Sequence, residues 1–147
     1  MKRFFDRHVP HIPTRMFDIV ADLADYPRFI PNCKAMEVRT DPANGNADVR
    51  LARMTLSFGP VTQAYTSRVT SDRTALTIRA KAVDGPFAYL DSVWSFEPEG
   101  MGTRVRFEID FKISNLLIAA VAEPAFAAKQ DEIMQAFADE ADRRYGG

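Results

Sequence analysis

The chain holds a single cysteine, Cys33, so no disulfide forms within it, which suits a reducing compartment. It has only two histidines, His8 and His11, close together near the start. A pair at that spacing, with no further ligands nearby, does not make a metal site and is expected on the surface. Cys33 has no histidine after it, which excludes a Cys-His dyad, and no Gly-x-Ser-x-Gly elbow, P-loop or dinucleotide fingerprint occurs. An excess of basic charge is also missing: 19 Lys and Arg against 20 Asp and Glu leave a net charge of −1, with never more than two basic residues adjacent. That balance argues against nucleic acid as a partner. Long apolar runs are absent too. The longest near-apolar stretch, residues 116–128, contains Glu123 and Pro124 and falls short of the ~20 residues that cross a bilayer. Residues 1–10 lack a continuous apolar segment, so neither a signal nor a transit peptide is expected.

What is present is the composition of one folded domain: 147 residues, 46% apolar and 27% charged. One domain over 1–147 is expected, with no repeats, low-complexity tract or linker. Residues 3–9 read as a first strand ended by Pro10. Pro13 suits a helix start, despite Ile12 being a poor cap, and Phe17, Val20, Ala21 and Ala24 have helical spacing. Pro27 and Pro31 leave a short helical turn over 26–30. From residue 35 to 113 the period falls to two. Asn44-Gly45 predicts a tight hairpin turn, a change of phase near Ala52 predicts a bulge, and Gly59-Pro60 predicts a second turn. Further strands read at about 62–70, 75–82, 87–98 and 103–113. In the last, Val105, Phe107, Ile109, Phe111 and Ile113 alternate with Arg104, Arg106, Glu108, Asp110 and Lys112, which gives one dry and one solvated face. After Ser114 the helical period returns, and Phe126, Ile133, Met134, Phe137, Ala141 and Tyr145 form one stripe. Pro124 is expected at the start of this helix or at a kink, with Gly146-Gly147 closing it.

The predicted class is therefore α+β, with about seven antiparallel strands and one long amphipathic helix to cover their apolar face. The pattern alone leaves two interiors open, a filled core or a cavity, and the close packing of protein interiors favours the first.

Two segments shift that balance. Residues 20–33, with Asp25-Tyr26-Pro27-Arg28-Phe29-Ile30-Pro31 at their centre, resemble the opening motif of the coenzyme Q-binding START-domain family. Residues 85–96, Gly85-Pro86-Phe87 followed by Leu90 and Trp94-Ser95-Phe96, resemble its second motif. Residues 111–117 and the helix ending at Arg144-Tyr145-Gly146 match as well, so the likeness covers nearly the whole chain, although residues 54–64 do not match. That family lies in the polyketide cyclase and lipid-transfer superfamily and includes the bacterial ribosome-association toxin proteins. The resemblance implies the START-like helix-grip fold, a curved sheet around the C-terminal helix with a hydrophobic tunnel between them.

It also implies a ligand, ubiquinone or a related polyprenyl quinone, carried in support of cellular respiration. No other cofactor, no metal and no catalytic residue is expected, and the protein reads as a carrier rather than an enzyme. The alternative is a toxin-like protein that binds a ribosomal subunit. The expected ligand-contacting residues are Leu90, Trp94 and Phe96 on one strand face, and Phe126, Ile133 and Phe137 on the helix stripe. Phe29 and Pro31 are expected on a stiff rim, and Phe87 joins the set although alternation places it with Tyr89 on the opposite strand face. Asp22, Asp25, Asp84 and Asp91 read as solvated. The expected setting is the cytoplasm, with transient peripheral contact at the inner face of the respiratory membrane. The run Leu116-Leu117-Ile118 is the candidate for that contact.

Overall fold

Strand β7, Gly102–Ile113, shows how the sequence builds the sheet: Val105, Phe107, Ile109, Phe111 and Ile113 are all buried, and the charged residues between them are not. In the computed structural model, which describes residues 1–46, 48–58 and 61–146, this strand is flanked by β6, Phe87–Glu99, and by β1, Lys2–Val9. The chain continues from β1 through helix α1, Pro13–Ala21, a single 3-10 turn, Leu23–Asp25, and the one-turn helix α2, Tyr26–Phe29. Strands β2, Cys33–Thr40, β3, Val49–Phe58, β4, Val61–Asp72, and β5, Thr77–Asp84, follow. All pairings are antiparallel, in the order β1-β7-β6-β5-β4-β3-β2. Helix α3, Leu116–Tyr145, lies against the inner face of this curved sheet, which is the expected helix-grip arrangement. Helix α1 presents Met16, Phe17, Ile19 and Val20 to the same core, with Phe17 edge-on to Phe96 at 6.0 Å.

Several local expectations need correction. Neither Asn44 nor Gly45 adopts positive φ. Side chains instead hold residues 41–46 and 48: Asp41, Asn44 and Asn46 each accept a backbone N–H two residues on. No bulge occurs at Ala52, because β3 runs in unbroken register with β4. The change of phase arises because Val49 and Leu51 are buried apart from the main core, whereas Ala52 and Leu56 belong to it. Register shifts lie between Cys33 and Ala35, Thr66 and Ser67, and Phe87 and Tyr89. The last reverses the expectation for Phe87. The shift turns its ring inward against Tyr65, Phe111 and Phe126, while Tyr89 stays exposed. Gly85 makes this possible with φ +114 and a backbone so close to Tyr65 that a Cβ would sit 2.5 Å from Tyr65 Cβ. The proposed turn at Gly59-Pro60 lies outside the described residues, as does Gly147.

Pro124 lies inside α3 rather than at its start. The helix begins eight residues earlier, where the Asn115 side chain accepts the Leu117 N–H and its carbonyl accepts the Ala119 N–H. The far end closes as expected on Gly146, at φ +78, whose N–H donates to the Asp142 carbonyl. Among the described residues, no helix is long and apolar enough to cross a membrane.

Candidate functional site: a cavity under the long helix

The interior is not fully packed, and the register explains where. Val69 pairs with Ala80, Ala80 with Ser92, and Ser92 with Ile109, so one row across the sheet has two small residues at its centre. The neighbouring row carries Ala52, Ser67 and Ala82. Alanine and serine on the inner face do not reach the helix above, and a cavity of about 120 Å³ remains. That is close to the ~150 Å³ of an apolar cavity that admits a single benzene ring.

Two aromatic clusters border the cavity. In one, Phe87, Phe111, Tyr65 and Phe126 meet edge to face. In the other, Tyr26, Phe29 and Phe137 do the same, with Trp94 5.1 Å from Phe137. The lining is mostly apolar, with Leu23, Ile30, Met36, Met54, Leu56, Ile78 and Phe107 among its members, and it also includes the polar side chains of Tyr65, Ser67, Ser92 and Gln130. Gln130 is buried and donates to the Phe126 carbonyl at 3.0 Å. The Tyr26 hydroxyl donates to the Val20 carbonyl, and that of Tyr65 finds only the Met54 thioether at 3.7 Å. Burial pushes both phenols above their ordinary pKa, so neither serves as a base near neutral pH. Burial likewise raises the Cys33 thiol.

A charged clamp fixes the wall formed by Leu23, Tyr26 and Ile30. The Glu140 side chain of α3 is only 2% exposed and accepts hydrogen bonds from Arg143 at 2.9 and 2.8 Å, from Arg144 at 2.7 Å and from Arg28. Arg28 and Arg144 both also reach Asp25, so α2 and the turn before it are tied to the end of α3. The hydrogen bonds from Arg143, with those of the other two arginines, hold the Glu140 carboxyl well below the usual carboxylate range. The Arg28 guanidinium does the same for Asp25, which is therefore not merely solvated. Asp84 is also engaged, accepting the Thr66 N–H at 2.8 Å.

Of the residues expected from sequence, Leu90, Trp94, Phe126, Ile133 and Phe137 line the cavity. Phe96 does not. It stands behind Trp94, stacked at 6.3 Å and wedged against Phe17. Phe87 packs against Tyr65 and Phe126 without lining the cavity itself. Phe29 and Pro31 face a separate, open groove of about 480 Å³ against Gln135, Asp139 and Arg143 of α3. Pro31 is exposed, and the turn beside it is pinned by two bonds between Asn32 and Ser57. Sequence reasoning missed the β3 and β4 walls, Ala52, Met54, Tyr65 and Ser67 among them. No signal in the sequence alone pointed to them, because only the sheet register sets Ala52 beside Ser67 and Val69 beside Ala80. His8 is exposed and meets Glu99, but His11 is buried, with Nε2 2.7 Å from Asp142 Oδ1, contrary to the surface placement expected for both.

Comparison with known proteins agrees with this geometry. The chain is 30% identical over 132 residues to the ribosome association toxin RatA of Rickettsia prowazekii, with 88% of each covered. It is 30% identical over 138 residues to the mitochondrial coenzyme Q-binding protein coq10 of Schizosaccharomyces pombe, covering 92% of this chain and 83% of that one. The Zhui aromatase/cyclase of a Streptomyces has the same fold, with a TM-score of 0.87 at 14% identity over 98% of this chain and 94% of that one. The model of the family described as polyketide cyclase/dehydrase and lipid transport matches residues 9–138. With that match over most of its length, the chain belongs to the polyketide cyclase/dehydrase and lipid-transport family.

Proposed function

We propose that this protein is a carrier that holds the ring of ubiquinone, or of a related polyprenyl quinone, in the cavity under α3 and delivers it to respiratory enzymes. The observation that carries this reading is a mostly apolar, ring-sized space where the sheet's inner residues are small. The titratable groups lining it are phenols held protonated by burial, which favours carriage over acid-base chemistry. A relative named as a coenzyme Q-binding protein, matched along most of both chains, adds support. A cavity of about 120 Å³ takes the ring alone, so the tail must leave between α2 and α3 or lie in a widened tunnel. Each methylene of tail shielded from water is worth about 0.8 kcal/mol, so a short shielded length adds much affinity. On this reading the protein works in the cytoplasm and touches the inner face of the respiratory membrane only while loading and unloading.

Organic extraction of protein purified without detergent, followed by mass spectrometry, tests the reading. A polyprenyl quinone in stoichiometric amount is the expected result. The matched RatA relative favours a second reading, association with a ribosomal subunit. Co-sedimentation with purified subunits, together with an extract free of polyprenyl lipid, would replace the first reading with the second.

A further inference from the structure

The cavity wall carries polar groups that the protein itself leaves unused. Ser67 is buried and Ser92 half-buried, both line the cavity, and among the described residues neither hydroxyl makes a hydrogen bond. The Tyr65 hydroxyl beside them has a weak thioether as its only partner. Both hydroxyls open onto the cavity rather than onto packed protein, and a wall selected for packing alone would carry alanine at these positions, as it does at Ala52 and Ala80. Their placement is also specific. In the sheet register Ser92 shares a row with Val69, and Ser67 lies two residues along the same strand as Val69. The two serines are thus two strands and two residues apart, a diagonal of about 12 Å between backbones. Two hydroxyl hydrogen bonds of about 2.7 Å each, plus the width of one ring across opposed oxygens, span a comparable distance.

We propose that Ser67 and Ser92 bracket the ligand's ring and donate hydrogen bonds to oxygen atoms on its opposite edges, with the Tyr65 hydroxyl as a third donor. The ligand class is then a single ring bearing opposed oxygen acceptors, and a bare isoprenoid or fatty chain is discriminated against. This inference rests on the carrier reading and adds the basis of its specificity.

The test is calorimetric titration of the full chain with two probes of similar size. One is tetramethyl-1,4-benzoquinone, and the other is tetramethylbenzene, which has the same four methyl groups on its ring and no oxygen. Wild-type protein is expected to bind the quinone at least about tenfold more tightly. The double variant Ser67→Ala with Ser92→Ala is expected to lose about tenfold in quinone affinity while binding tetramethylbenzene within about twofold of wild type. Equal affinity of the two probes for wild type would overturn the seat and leave the carrier reading standing. A double variant that folds, by circular dichroism, and keeps its preference for quinone would do the same. Binding of neither probe would overturn both. The comparison of probes on wild type needs no variant, so it decides the matter even if the double variant does not fold.

Discussion

Replacing Glu140 with glutamine should loosen the wall of the cavity, and the size of the effect follows from the clamp. The glutamine keeps the shape of the side chain and removes its charge, leaving Arg28, Arg143 and Arg144 facing one another around a neutral amide. Hydrogen bonds to a charged group contribute about 1.5–3 kcal/mol each when shielded. Arg28 and Arg143, at 42% and 59% exposed, recover most of their loss from water, whereas Arg144 is 21% exposed. One shielded bond and a partial contribution from the others give a loss of about 2–3 kcal/mol. At this chain length that lowers the melting temperature by about 5–10 °C. The pH dependence has a definite sign. The folded Glu140 carboxyl titrates well below the unfolded value of about 4.3, so its stabilisation is complete above that value and is lost as pH falls through the folded one. The gap between wild type and variant should therefore stay constant from about pH 5 to 8 and close only in stronger acid. Thermal melts by circular dichroism at several pH values measure it. Because Leu23, Tyr26 and Ile30 sit on the clamped segment, the variant should also release a bound quinone faster in stopped-flow quenching of Trp94. A variant melting within about 1 °C of wild type across that pH range would refute the clamp.

The two histidines should behave differently. His8→Ala should leave the urea midpoint unchanged, while His11→Ala should cost about 1–3 kcal/mol through the buried bond to Asp142, and both should keep quinone affinity within about threefold. Equal effects on the midpoint would contradict the difference in burial. Leu116 and Leu117, 73% and 89% exposed at the start of α3, should promote weak attachment to vesicles. Their joint replacement by serine should abolish flotation with liposomes and leave the melting temperature within about 1 °C, and wild-type protein that never floats would rule out this route of loading.

Much of the fold was legible because its signals are local and repetitive. The alternation from Arg104 to Ile113 can only bury one face, and the stripe from Phe126 to Tyr145 can only be a helix packed on it. The misreadings share a different cause, in that they depend on partners distant along the chain. Asn44-Gly45 is a strong turn signal taken alone, yet three Asx side chains compete for the same backbone and hold a wider connection. Phe87 points inward because a shift against β7 overrides strand alternation, and Gly85 tolerates the approach of Tyr65 that this requires. The cavity was expected only from the family resemblance, and its place on the sheet was not legible because it is made by what Ala52, Ser67, Ala80 and Ser92 lack. Small residues carry no periodic signal until register brings them into adjacent rows. The clamp joins Asp25 and Arg28 to Glu140 and Arg144 across more than a hundred residues, and nothing in either segment announces the other.

The place of β1 beside β7 sets the order in which this protein is made. Lys2 pairs with Asp110, so the first strand synthesised waits for the last before it gains a neighbour. At ordinary translation rates of 5–20 residues per second, that wait is about 5–20 s, and α3 is still to follow. During it the inner faces of β2 to β6, including Trp94 and Phe96, have no helix to cover them. Pairings of such long sequence separation also fold slowly once the chain is complete. A ligand therefore has no walls to bind while the chain grows. The cavity is complete only once α3 has closed over the sheet, so whatever occupies it enters a finished chain.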